Sequence, residues 1–212
     1  MATLIEANLQ KNTAVGIGAV IIHPRIVRLT HWVNAGAMIV MIMSGWQIHN
    51  AYPTLPFRFP DVLTLGFGLA GALQWHFAAM WLLAVNGMIY LSYGVMSGRL
   101  RRKLVPIYPS AMLRDVRAAL AGRLKHDDLS VYNAVQRVLY VGVIGAGVLV
   151  VISGLAIWKP VQFRILTTLL GDFDNARLIH FASMTGIVLF LMVHVVMALL
   201  VPSSLCAMVR GR

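Results

Sequence analysis

Four stretches of the chain, 29–49, 76–97, 135–157 and 178–201, stay apolar over roughly the 20 residues that a helix needs to cross about 30 Å of hydrocarbon. Each reads as a membrane-spanning helix. The expected fold class is therefore all-α, an integral membrane four-helix bundle with an additional interfacial helix. The charge-free run 62–98 is too long for one span. Its first part, up to Trp75, is expected to lie in the interface or to re-enter partway, loosened by Gly66, Gly68 and Gly71. The connection 99–130 is polar and basic. Within it, 111–124 reads either as the short interfacial helix, with Arg114, Arg117 and Arg123 at the lipid surface, or as a solvated linker.

Composition strengthens the membrane reading. Of 212 residues 59% are hydrophobic and 12% charged, with mean hydropathy +0.77, where a soluble domain carries roughly a quarter charged residues. The net charge of +11 does not point to nucleic acid, because the basic residues sit in short stretches between apolar segments and read as topology signals and lipid-headgroup contacts. Lys11, Arg25 and Arg28 precede the first span, nine Lys and Arg lie between Arg99 and Arg137, and Arg210 and Arg212 follow the last span. The other two connections hold only Arg58, Lys159, Arg164 and Arg177. The positive-inside rule places both termini and the middle connection in the cytoplasm, with the chain crossing the membrane several times. No basic region followed by an apolar core and a small-residue cleavage site opens the chain, so no cleavable signal is expected. The expected organisation is an N-terminal cytoplasmic segment 1–22, a transmembrane domain 23–205 and a cytoplasmic tail 206–212.

A single cysteine, Cys206, excludes an internal disulfide, covalent c-type haem attachment and a cysteine-ligated cluster. A cofactor would be held by histidine. His180 and His194 are 14 residues apart, close to four helical turns, so they share a face of the last span about 21 Å apart along its axis. His31 opens the first span on the cytoplasmic side, the depth at which His194 arrives. His76 opens the second span on the outer side, as His180 opens the last. Topology thus pairs His31 with His194 and His76 with His180. Two stacked bis-histidine sites inside an apolar bundle are what two b-type haems require.

His49 competes with His76, since it lies five turns from His31 on the same face. His76 is preferred, because His49 would sit roughly 6 Å beyond the level of His180. Gly45, in Ser44-Gly45-Trp46, and Gly154, in Ser153-Gly154-Leu155, lie near the outer pair, where helices without a ligand must approach a porphyrin. Small residues serve ordinary helix packing as well. Arg28, Arg137 and Arg177 fall within about a turn of the two levels and read either as partners for haem propionates or as snorkelling interface residues.

The segment Arg28-Leu29-Thr30-His31-Trp32, the run Tyr132-Asn133-Ala134-Val135-Gln136-Arg137 and the spacing of His180 and His194 resemble the cytochrome b subunits of bacterial respiratory oxidoreductases. These are the membrane anchors of formate dehydrogenase, nickel–iron hydrogenase and thiosulfate reductase, within the wider bacterial cytochrome b561 superfamily. The resemblance extends from about residue 23 to the end. It implies four core helices, two haem b groups ligated by His31, His76, His180 and His194, and electron transfer between a quinone pool, ubiquinone or menaquinone, and a periplasmic catalytic redox subunit. It also implies a quinone site at Asn133, with Gln136 one turn on. The family's run usually has glycine where this chain has Val135, and Asn133 also suits a helix N-cap.

Gly66-Phe67-Gly68-Leu69-Ala70-Gly71 matches a dinucleotide fingerprint, but no strand precedes it and no acidic residue follows at the required distance. All seven acidic residues lie outside the spans, which argues against an ion-coupled transporter. The leading expectation is an electron-transfer subunit whose partner is of the molybdenum oxidoreductase or hydrogenase type. Two alternatives stand beside it. One is a stand-alone quinone-linked haem oxidoreductase acting on a small substrate such as superoxide. The other is a nonredox assembly or transport component whose histidines are structural.

Overall fold

The structure, a computed structural model, describes residues 24–98, 129–200 and 202–211, with the backbone alone for 129–141 and Ser204. The elements in order are α1 (Arg25–Ala51), a 3-10 turn (Asp61–Leu63), α2 (Leu69–Met96), α3 (Leu129–Trp158), α4 (Arg164–Leu169), α5 (Phe173–Leu200) and α6 (Pro202–Arg210). The described residues are all-helical. Three of the helices, α1, α2 and α5, are long and apolar enough to cross a membrane, and Gly142–Trp158 forms a shorter apolar stretch within α3. The interfacial helix expected at 111–124 lies outside the described residues.

Each long helix begins four to seven residues before its apolar stretch. Apolarity registers the thickness of the hydrocarbon, whereas the helix continues until local chemistry stops it. Ahead of α2 that stop is a run of positive φ angles, 117° at Gly66, 50° at Phe67 and 141° at Gly68. Ahead of α5 it is Gly171, with φ of 101°, followed by Asp172, whose carboxylate accepts the Asn175 N–H at 2.6 Å as a helix N-cap does. α2 ends where Gly98 turns left-handed.

The extensive helix contacts are α1 with α2 and α3 with α5, two antiparallel hairpins. Many of their buried positions are small, among them Ala37, Ala72 and Ala79 in the first and Ser153, Ala156 and Ala176 in the second. Small side chains let backbones approach closely where water supplies no driving force for helix association. Large apolar side chains such as Ile39, Trp81 and Leu189 stay exposed, as lipid contact allows. A buried polar tie joins the first hairpin, in which Asn86 Nδ2 donates to the Thr30 carbonyl at 2.8 Å and to Asn34 Oδ1 at 3.4 Å.

The segment between α1 and α2 folds back along α1 until the Leu65 N–H donates to the Met43 carbonyl at 3.1 Å. The first part of the charge-free run thus returns alongside α1, to a point about two turns inside its end. A Cβ on Gly71 would meet the Gly66 carbonyl oxygen at 2.1 Å, so the glycines of the G-x-G-x-x-G match serve a tight turn onto α2. At the other end of the chain, the boundary expected at 205/206 falls inside α6. That helix docks on α1, with the Arg28 guanidinium donating to the carbonyls of Met208 (3.2 Å) and Val209, and Trp32 Nε1 donating to Met208 at 3.4 Å.

Candidate functional site

Two histidine pairs bridge the hairpins. His31 on α1 faces His194 on α5 with ring centres 6.1 Å apart, and His76 on α2 faces His180 on α5 with ring centres 6.5 Å apart. The second long helix of the second hairpin therefore supplies one member of each pair, and the first hairpin supplies the others from its two different helices. An imidazole nitrogen bonds a metal at about 2 Å, so two imidazoles on opposite sides of one metal hold their ring centres about 6 Å apart. Both pairs have that separation. No group of three or more His, Cys, Asp or Glu gathers among the described residues. Two-residue sites suit an iron whose remaining ligands come from a porphyrin, and the residues present fit haem b.

The pair of His76 and His180 is built in duplicate. His76 Nδ1 lies 3.0 Å from Ser44 Oγ, and His180 Nδ1 lies 3.1 Å from Ser153 Oγ. Each serine is fully buried and donates its own proton back to a helical carbonyl, Ser44 to Val40 at 2.6 Å and Ser153 to Leu149 at 2.5 Å. A hydroxyl whose only hydrogen is committed receives a hydrogen bond from its next neighbour. This arrangement suits imidazoles that carry their proton on Nδ1 and keep the Nε2 lone pair. The carbonyls of Met41 and Val150 lie within reach of the same two rings.

The glycine after each serine lets the ring lie against the helix. A Cβ on Gly45 would stand 3.6 Å from His76 Cε1, and one on Gly154 would stand 3.1 Å from His180 Cε1. The two glycines singled out in the sequence thus lie against His76 and His180. The two serines were missed, although a Ser-Gly dipeptide recurring at the depth of an outer histidine in both halves was a signal.

His49 is engaged elsewhere. Its Nε2 donates to the Phe57 carbonyl at 3.1 Å, and its Nδ1 accepts the Thr54 N–H at 3.3 Å. Both nitrogens are committed to the connection after α1. Asn50 beside it donates to the Phe59 carbonyl and accepts the Phe59 N–H, each at 2.8 Å. Trp46 stacks on Phe59 at 4.6 Å, and Phe181 packs on His49 at 4.9 Å. This aromatic group adjoins His180 through Phe181, its chain neighbour.

Of the arginines, Arg28 spans to α6 as described. Arg177 donates to the Tyr52 carbonyl at 2.6 Å, lies over the Tyr52 ring at 4.2 Å and pairs with Asp174 at 3.5 Å. It ties the start of α5 to the end of α1. The backbones of Asn133, Gln136 and Arg137 belong to the first turns of α3, and their side chains lie outside the described residues.

Residues 22–211 match the model of the prokaryotic cytochrome b561 family. The chain is 52% identical to a putative protein-methionine-sulfoxide reductase subunit, YedZ1, of Azospira oryzae, over 90% of this chain and 96% of that protein. It is 25% identical to a probable Ni/Fe-hydrogenase B-type cytochrome subunit of Azotobacter vinelandii over 85% of this chain and 80% of that one. A protein of the same description in Bradyrhizobium diazoefficiens is 27% identical over 53% of this chain and 44% of its own length. No solved structure matches the chain.

Proposed function

Since the chain belongs to the prokaryotic cytochrome b561 family, and so is a membrane-bound b-type cytochrome, we propose that it carries electrons from quinol through two haem b groups to a periplasmic catalytic subunit. The observation that carries this reading is the presence of two facing histidine pairs, 6.1 and 6.5 Å between ring centres, on the inner sides of two hairpins. In this proposal His31 and His194 ligate the cytoplasmic haem, and His76 and His180 the outer one. Haem b, when bound, supplies one-electron redox chemistry at a potential the protein tunes. The chain's own part is to hold the imidazoles in the ligating tautomer, to exclude water with apolar helices and to bring quinol to one face.

Four spans, α1, α2, α3 and α5, with both termini and the 99–128 connection on the cytoplasmic side, give this arrangement, and the Lys and Arg distribution supports it. Asn133 and Gln136 at the cytoplasmic start of α3 would then bind the quinone, with Arg137 beside the inner haem's propionates. The similarity to a methionine-sulfoxide reductase subunit, which extends over nearly that whole protein, favours a sulfoxide-reducing partner over a hydrogenase. Quinol releases two electrons and two protons, and a sulfoxide takes up two electrons and two protons to give a thioether and water, so the two half-reactions balance.

The purified full chain is expected to hold two haems. His76→Ala or His180→Ala should remove one and His31→Ala or His194→Ala the other. Retention of both haems in all four variants would overturn the ligand assignment. Supply of quinol to membranes containing the chain and its partner should drive sulfoxide reduction, and dependence on hydrogen instead would reassign the partner.

A further inference from the structure

The two halves of the outer site contain the same device, on helices that are unrelated in sequence position. In the first hairpin Ser44-Gly45 of α1 faces His76 of α2, and in the second Ser153-Gly154 of α3 faces His180 of α5. The serines are the largest side chains that are fully buried among the described residues. A buried hydroxyl in an apolar bundle costs free energy unless it is hydrogen-bonded. Each here is bonded twice, to the carbonyl one turn earlier in its own helix and to the neighbouring histidine. A back-bonded helical serine satisfies itself without a second partner. The second bond therefore does something for the histidine.

Its direction is fixed by the first. With the hydroxyl hydrogen committed to Val40 or Leu149, the oxygen accepts the Nδ1–H of the ring. Accepting that bond fixes the tautomer and the ring's rotation and makes the opposite nitrogen a stronger electron donor. In a low-dielectric bundle such a bond is stronger than in water. A more basic imidazole favours the more highly charged ferric state over the ferrous, so it lowers the reduction potential of the metal it ligates.

We infer that Ser44 and Ser153 are a matched pair of positioning residues that hold His76 and His180 from opposite sides and jointly depress the potential of the outer haem. The inference rests on the ligand assignment proposed above. The pair acts on one site because the inner site lies about 21 Å away along α5, which makes the inner haem an internal control.

The test is a potentiometric titration of the haem-loaded full chain, following the two haems by their visible absorption. Ser44→Ala and Ser153→Ala should each raise the midpoint potential of one haem, and the double variant should raise it further, by about the sum of the two. The second haem should stay unchanged. Ser44→Thr and Ser153→Thr, which keep the hydroxyl, should titrate close to the parent. Unchanged potentials in both alanine variants would overturn the inference, as would threonine variants that shift as far as the alanine ones. If alanine causes loss of the outer haem while threonine retains it, the hydroxyl is again required. Loss with both would show that only side-chain size matters and would overturn the proposal. His76→Ala, measured alongside, separates the two levels of argument: retention of both haems there would remove the ligand assignment itself.

Discussion

Gly154 and His180 approach so closely that a single added carbon would stand 3.1 Å from the imidazole Cε1. That is tighter than an ordinary van der Waals contact, and the same edge of the ring is already bonded through Nδ1 to the neighbouring Ser153. Gly154→Ala should therefore rotate His180 away from His76 and lower haem content from two toward one per chain. Gly45→Ala, with 3.6 Å to His76, should retain both. The haem-to-protein ratio of the two variants, compared side by side, checks the difference.

His49→Ala should behave as a stability variant. It removes the partners of the Phe57 carbonyl and the Thr54 N–H and leaves them in an aromatic setting. Both groups are only part-buried, so the loss falls below the roughly 1–3 kcal/mol of a fully buried unsatisfied group, and thermal unfolding in detergent should begin at slightly lower temperature while two haems remain bound. Loss of a haem in His49→Ala, with retention in His76→Ala, would exchange the roles of the two histidines.

Arg28 distinguishes a capping role from a propionate role. Its guanidinium meets the last carbonyls of α6, where a positive charge also opposes the helix dipole, an effect of about 0.3–1 kcal/mol. Arg28→Ala should accelerate amide hydrogen exchange across 202–211 and leave the potential of the inner haem in place. A shifted inner potential with unchanged exchange would assign Arg28 to the haem instead.

Asn133→Ala addresses the quinone site. Loss of one hydrogen bond to a quinone oxygen should slow haem reduction by quinol about two- to tenfold, on a net bond strength of about 0.5–1.5 kcal/mol, with haem content unchanged. Stopped-flow reduction by a short-chain quinol measures it, and parent-like kinetics would remove Asn133 from the proposed quinone site.

What the sequence determined by itself was the set of features fixed by solvent and by helical period. The hydrocarbon demands long apolar helices, so the long helices were legible, and a 14-residue spacing places His180 and His194 on one face whatever surrounds them. The pairing of His31 with His194 and of His76 with His180 followed from depth, and the structure brings those rings together. Helix starts were less legible, because they depend on single residues such as Gly68 and Asp172 rather than on the apolar pattern.

Only the tertiary structure decided what each polar group does where several positions were open to it. Depth alone left His49 in competition with His76, and the fold resolved their environments by returning Phe57 and Thr54 to His49 while turning His76 toward His180. It drew Arg28 to α6 and Arg177 to Tyr52. It also set a serine hydroxyl against each outer imidazole, a relation between α1 and α2 and between α3 and α5 that no spacing along one helix encodes. The reason is physical: a span's period fixes direction and height, but a hydrogen bond requires atoms within about 3 Å. Only the packing of two helices sets that distance.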